Sequence, residues 1–275
     1  MYTEYHPSPL LAPYIDNYWE FKGNPEYGMR IHILPDGCTD FIFTLGEVAE
    51  PVEENETLIM QPYRSYFVGP MTKYSELVTY SESVHMFGIR FLPCGLSCFA
   101  RLPLHEFVNS RISTVEMGAV FDDTFGERLC EQKHTSGRIL VAEEYLLAYL
   151  AHHYQSADSH VVMAVEMINR SGGRRPVCSL MDEVCLCQRH FERKFKHHTG
   201  FTPKEYSRIV KFKNAVEQLR NAASPNMLTT AINAGYYDLA HFSKEIKSLS
   251  GNTPTSFLSL AVPEDTTLTY IEPQK

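Results

Sequence analysis

The sequence lacks any run of about 18 apolar residues, the length a membrane-spanning helix needs, so no such span is expected. Its opening residues, MYTEYHPSPLLAPY, lack a basic start followed by an apolar stretch, which excludes the pattern of a secretory signal. Cysteine is sparse, with seven scattered residues that form no disulfide framework. Without an export signal these read as reduced thiols of a cytoplasmic protein. The sequence has no His-x-His pair: His6, His32, His85 and His105 stand isolated, unlike the clustered ligands of a metal-binding barrel. Cys185 and Cys187 are too close for an ordinary zinc knuckle and lack a second pair, whereas Cys94 and Cys98 are spaced to meet on a helix. All four are expected to be buried, reduced thiols. His152-His153 and His197-His198 read as exposed helix ends. No nucleophile elbow, phosphate loop or dinucleotide fingerprint appears, so no catalytic residue, cofactor or metal is expected.

Positive charge is also in deficit. The chain carries 25 basic and 33 acidic residues, a net charge of −8, which taken whole argues against a nucleic-acid coat or a polybasic membrane binder. The mean conceals an asymmetry. Residues 1–159 carry a net −12, residues 160–260 a net +6, and the last 15 residues a net −2. An acidic front joined to a basic back suggests separate tasks, the back half meeting a polyanion, unless the split is a chance fluctuation of surface charge.

What is present supports two domains, as 275 residues with 44% hydrophobic and 21% charged composition allow. In the front, Ile31–Leu34 is a short apolar run stopped by Pro35-Asp-Gly, and Phe41–Leu45 reads as a strand. Tyr66–Val68, Leu77–Tyr80 and His85–Phe91 follow at strand length, and the acidic stretch 47–56 reads as an exposed loop. Short strands at this spacing suggest a β-sandwich or barrel. Residues 95–159 turn helical, with apolar positions 141, 145, 146, 149 and 150 on one face, and Ser156-Ala-Asp-Ser is a plausible boundary.

The back half contains an internal repeat. Arg189–Tyr206 lies 51 residues before Ala240–Phe257, with identities at His190/His241, Phe191/Phe242, Lys196/Lys247, Gly200/Gly251, Thr202/Thr253 and Pro203/Pro254. Two copies are too few for a solenoid and fit a tandem of small helical units. Each has helix-turn-helix logic. In the second, Leu228–Asn233 is a first helix, Gly235 supplies the turn, Asp238 caps the next helix, and Phe242, Ile246 and Leu249 form its buried stripe. In the first, Val177–Glu183 is followed by a turn at 184–187 and a helix over about 188–198 with Phe191 and Phe195 inward. The outward stripes are Arg189, Glu192, Arg193 and Lys196 in the first copy, and Ala240, Ser243, Lys244 and Lys247 in the second. Such stripes either face solvent or reach phosphates and base edges in a major groove. Lys204–Asn221, free of Pro and Gly, reads as a joining helix. At ~27 Å it is long enough to hold two units on one face of a duplex.

Arg189–Gly200, Tyr206–Leu219, Ala231–Lys247 and Gly251-Asn-Thr-Pro together resemble the AraC/XylS-type DNA-binding domain over about the last 100 residues. The resemblance implies seven helices in two helix-turn-helix units that regulate transcription. By position it implies that Arg189, Glu192 and Arg193, then Leu239, Ala240, Ser243 and Lys244, face the groove. The sequence departs from the family at Cys185, where the first turn usually has Gly, at Tyr237 for Ser, and at Ile246 for Phe. Pro9–Phe21, Ile33–Phe43 and Phe67–Thr72 resemble the module that often precedes such domains, a cupin-like β-barrel followed by helices. In the wider family such barrels bind small effectors and the following helices often dimerise. Tyr18, Trp19, His32 and His85 are candidates to line an effector pocket, against the reading that they are core or rim residues.

The expected fold is therefore α+β. A cupin-like barrel spans 1–110, a helical linker or dimerisation segment 111–158, an all-α domain of two helix-turn-helix units joined by a long helix 159–260, and a tail 261–275. The expected function is sequence-specific regulation of transcription, modulated by an effector in the N-terminal domain. Expected partners are double-stranded DNA at a promoter or operator, a small-molecule effector, RNA polymerase where the protein activates, and a second copy of the chain. No membrane partner is expected. The competing readings are a barrel enzyme or a protein-interaction module, each carrying a DNA-binding tail.

Overall fold

Strand β2 (Ile15–Gly23) shows how the N-terminal region is built. Its sequence, IDNYWEFKG, alternates so that Tyr18 and Trp19 leave on opposite faces of one sheet, and both are buried. The structure, a computed structural model, describes residues 2–25, 29–46, 49–52, 60–79, 83–118, 120–121, 123–221, 226–258 and 269–271. Around β2 run β1 (Tyr2–Tyr5), β3 (Met29–Ile33), β4 (Thr39–Thr44), β5 (Ala49–Val52), β6 (Ser65–Val68), β7 (Ser75–Thr79), β8 (Val84–Phe91) and β9 (Arg111–Ser113). A last strand, β10 (Thr269–Ile271), returns from the C-terminus. Two antiparallel sheets result, in the orders β1-β2-β8-β4-β6-β9 and β10-β3-β7-β5. The stretch expected as an exposed acidic loop includes β5, which pairs with β7 from Ala49↔Thr79 to Val52↔Glu76; residues 47, 48 and 53–56 lie outside the described residues.

The six-stranded sheet is covered on both faces, which is why every residue of β4, TDFIFT, is buried. One face carries Trp19, Phe21, Ile42, Tyr66, Val68 and Met86 against Ile33 of the second sheet. The other carries Tyr18, Phe41, Phe43, Phe67, Phe87 and Ile89 against a helical layer. That layer is α1 (Thr114–Met117), α2 (Asp123–Glu131) and α3 (Thr135–His153), where Phe121, Phe125, Leu129, Ala142 and Leu146 meet the sheet. Aromatic rings dominate this seam, with Phe41–Phe121 at 4.8 Å and Phe43–Phe125 at 5.1 Å between centroids.

Seven further helices are described: α4 (Ser159–Arg170), α5 (Val177–Val184), α6 (Gln188–Thr199), α7 (Pro203–Asn221), α8 (Met227–Asn233), α9 (Leu239–Ser250) and α10 (Pro254–Leu258). None of the described helices is long and apolar enough to cross a membrane. The 19-residue α7 serves two cores. Its first half gives Tyr206, Ile209 and Val210 to a cluster with Val161, Ile168, Leu180, Phe191 and Phe195. Its second half gives Phe212, Ala215, Val216 and Leu219 to a cluster with Ala231, Phe242, Ile246 and Leu249.

The sheet region docks on this helical body through the turn between β3 and β4. Leu34 enters the core shared by α7, α8 and α9, while Cys94 enters the core of α4 to α7. Gly37 has φ +87°, and a Cβ there would lie 2.7 Å from Cε2 of Tyr206, so only glycine lets the turn rest on that ring. The turn is held from inside by the buried Arg90, whose Nε lies 3.1 Å from Asp40 and 3.3 Å from Asp36. Asp36 also accepts the backbone N–H of Cys38, and Asp40 accepts the indole N–H of Trp19 at 2.7 Å. Burial pushes the Asp40 carboxyl up to about 6, against the pull of Arg90. From α7, burial works against the charge of Lys213, but Cys38, Asp36 and Asp16 outweigh it and raise its pKa. Replacing Gly37 by Ala is expected to lower the unfolding free energy by about 2 kcal/mol, from left-handed backbone strain and displacement of the Tyr206 ring. Urea denaturation of the full chain checks this, and wild-type stability would contradict the docking.

Candidate nucleic-acid interface

The repeat seen in the sequence persists at the level of single hydrogen bonds. Recognition-type helices α6 and α9 both end in a left-handed glycine, Gly200 at φ +82° and Gly251 at φ +76°. Gly200 N–H donates to Lys196 at 2.9 Å and Gly251 N–H to Lys247 at 3.0 Å. One residue earlier, the hydroxyls of Thr199 and Ser250 donate to the carbonyls of Phe195 and Ile246, each at 2.7 Å. Thr202 and Thr253 then cap the following helices, accepting from Glu205 N–H and Ser256 N–H at 3.2 Å. Both glycines also abut the sheet region, Gly200 against Pro70 and Leu104, Gly251 against Tyr74.

Each unit orients its second helix the same way. Phe191 and Phe195 in α6, and Phe242, Ile246 and Leu249 in α9, are fully buried. The opposite stripes face outward. In α6, Arg189, Arg193 and Lys196 are exposed and Glu192 is half-buried. In α9, Leu239, Ala240, Lys244 and Lys247 are exposed and Ser243 is half-buried. The structure thus gathers the sequence-predicted DNA-binding residues onto two matching helix faces. Helix α9 is started by Asp238, whose carboxylate accepts His241 N–H at 2.7 Å. Its turn uses Gly235 at φ +86°, while the equivalent turn in the first unit is made by Cys185 at φ +52°.

Sequence reasoning passed over Gln188, the exposed first residue of α6, whose amide donates to Glu192 at 2.9 Å. The 51-residue offset from Leu239 was the signal that could have named it. It also passed over Lys194, which bonds Asp158, the N-cap of α4. Burial raises the Asp158 carboxyl, but the bond from Lys194 and the N–H groups of Val161 and His160 outweigh it and hold the carboxyl low.

The four candidates for an effector pocket are not brought together. Tyr18 faces the helical layer and stacks on Phe87 at 6.2 Å. His85 lies 2.9 Å from Glu20, which also accepts from Thr135 and Arg138 of α3. Trp19 lies between the sheets, stacked on Tyr2 at 5.6 Å and laid across Gly88. His32 is buried beside Tyr74 and Glu76. The cysteine expectation also needs correction: Cys94 and Cys98 are buried, but Cys185 and Cys187 are exposed, because they lie in the α5–α6 turn. Cys94 and Cys98 do not share a helix, since Cys94 has φ +68° ahead of a 3-10 turn over Leu96–Cys98. His152 and His153 are exposed at the end of α3, but His197 and His198 are half-buried, His198 with its pKa lowered by burial and by His197. Among the described residues no group of His, Cys, Asp or Glu is placed to hold a metal ion.

Comparison with known proteins fits this geometry. Residues 180–259 match the model of a helix-turn-helix domain, and residues 3–113 match a domain of unknown function, DUF6597. No curated protein matches the chain. Among solved structures, ToxT from Vibrio cholerae aligns over 88% of this chain and 98% of its own, with TM-score 0.52 and 8% identity, a likeness of fold. ToxT bound to (E)-4-(8-methylnaphthalen-1-yl)but-3-enoic acid aligns over the same shares with TM-score 0.50 and 9% identity. A probable AraC family transcriptional regulator from Rhodopseudomonas palustris is 23% identical over 37% of this chain and 96% of its own, with TM-score 0.34.

The Cys185 turn gives a direct check on the first unit. A non-glycine residue in the left-handed region is strained, so Cys185→Gly is expected to raise stability by about 0.5–1 kcal/mol. Chemical denaturation measures it, and a loss of stability would mean that the exposed thiol makes a stabilising contact.

Proposed function

We infer that this chain is a sequence-specific DNA-binding regulator of transcription of the AraC type, carrying two helix-turn-helix units behind an N-terminal sheet domain with the ToxT fold. The observation that carries this reading is the pair of equivalent helices on one spine, α7, each presenting an outward stripe beside a closed apolar core. In the first unit Arg189 and Arg193 are suited to guanine edges in the major groove, Glu192 to a cytosine amino group, and Lys196 to phosphate. In the second, Lys244 and Lys247 supply phosphate contacts, with Leu239, Ala240 and Ser243 at the base edges. The acidic front keeps the chain as a whole anionic, so non-specific attraction to DNA is confined to the basic region.

An effector acting through the N-terminal domain is part of the proposal. ToxT has been solved with a naphthalenyl butenoic acid bound, and this chain has the same fold. Since Tyr18 and Trp19 lie on opposite faces of the sheet, the proposal does not rest on Tyr18, Trp19, His32 and His85 as one lining. A cleft of about 600 Å³ offers Phe99, Leu102, Val115, Phe121 and Tyr149, with Arg101 tethered to Gln155 at 2.8 Å. Its wall includes Val120 at φ +66°, a costly backbone state for a β-branched residue and of the kind that collects at ligand sites. A ligand that favours one packing of the β3–β4 turn on α7 would shift the arrangement of both units together. Contact with RNA polymerase and pairing with a second copy belong to the same reading. No catalytic step is assigned to the chain.

Titration of full-length protein on its selected site, with single-base variants of that site, tests the assignment. Arg193→Ala is expected to relax discrimination at one base pair by ~1–3 kcal/mol, while Lys247→Ala weakens all sequences alike and lowers the salt slope by about 1. A uniform loss for Arg193→Ala would make it a phosphate contact instead.

A further inference from the structure

The two units present different chemistry where it matters most. In a helix-turn-helix the N-terminal residues of the second helix reach base edges. In α6 the outward residues there are polar: the exposed Gln188 and Arg189, followed by the half-buried Glu192 and the exposed Arg193. The same positions in α9, 51 residues on, are Leu239, Ala240, Ser243 and Lys244. Leu239 is 41% exposed and the flanking Tyr237 is 90% exposed. Neither belongs to the closed core of Phe242, Ile246 and Leu249, so their apolar surface is held outward. The carboxylate of Asp238, at the start of the helix, is already engaged by His241 N–H. Lys244 and Lys247, exposed behind this edge on the same helix, suit the phosphates that flank a groove.

An apolar edge backed by cations has one complement in the major groove, the 5-methyl group of thymine. We propose that α9 reads thymine through that methyl, with Leu239 and Ala240 as the specificity residues and Tyr237 closing the edge. Ser243 adds a hydroxyl that can hydrogen-bond a neighbouring base edge. The operator is then chemically asymmetric: one half is read by hydrogen bonds from α6, the other by methyl contacts from α9. This rests on the regulator reading above and goes beyond it by naming what the second unit recognises.

The test begins with full-length protein and a random duplex pool. Selection with wild type and with Leu239→Gln/Ala240→Gln identifies the half whose base preference depends on α9, and that half is expected to be thymine-containing. Deoxyuridine is then substituted for thymine, half by half, in the selected duplex. Each contacted methyl removed from the α9 half is expected to weaken wild type about fourfold. The same substitution is expected to leave the double variant unchanged, and in the α6 half to leave wild type unchanged. Equal wild-type affinity for thymine and deoxyuridine duplexes would overturn the inference while leaving the regulator reading intact. Equal affinity together with loss of self-association in Leu239→Gln would assign the edge to a second copy and overturn it equally. A pool that yields no enriched site would overturn the regulator reading and this inference together.

Discussion

One helix cannot move without moving two cores. Helix α7 fills the first helix-turn-helix unit with Tyr206, Ile209 and Val210 and the second with Phe212, Val216 and Leu219. Its rise of about 28 Å sets the separation of the units and, through the 3.6-residue period, their rotation about one axis. Polar bonds from α7 add to this on both sides: the ring hydroxyl of Tyr206 donates to Asn169 of α4 in the first unit at 2.9 Å, and Arg208 pairs with Glu245 of α9 in the second. A tandem built this way presents both outward stripes in a fixed relation, so a single chain carries the geometry that dimeric regulators obtain by pairing.

The N-terminal domain rests on the same helix. Its β3–β4 turn brings Leu34 to one core and Gly37 to the Tyr206 ring, and Arg90 fixes the turn through Asp36 and Asp40. Burying that guanidinium adds little net stability, because the carboxylates beside it carry their own desolvation cost. The glycines that close α6 and α9 both face this domain, at Pro70 and Leu104 and at Tyr74. The sheet domain therefore touches the spine and the same position of each unit, which is the contact set needed to bias both units at once.

The helical half was largely legible in the sequence. Positions Phe191/Phe242 and Gly200/Gly251 repeat because both units solve the same packing and termination problem, and periodicity reports that solution directly. The sheet half was legible only in part. Strands His85–Phe91 and Phe41–Leu45 stood out as apolar runs, since their sheet is buried on both faces. The acidic segment containing β5 and the short edge strands β1 and β9 carry no such signal. Composition also does not show that Tyr18 and Trp19 part company: they are adjacent in sequence, and adjacency in a strand means opposite faces. Nor does composition reveal which thiols are buried, because Cys94 packs into the core of α4 to α7, in the other domain.

The central claim is that one chain sets two recognition helices into successive major grooves. Hydroxyl-radical footprinting of full-length protein on its selected duplex, at a concentration where it is monomeric, measures this most directly. Two protected patches on one face, separated by about 10 base pairs, are the expected result. A single patch, or a second one that appears only when another copy binds, would contradict it.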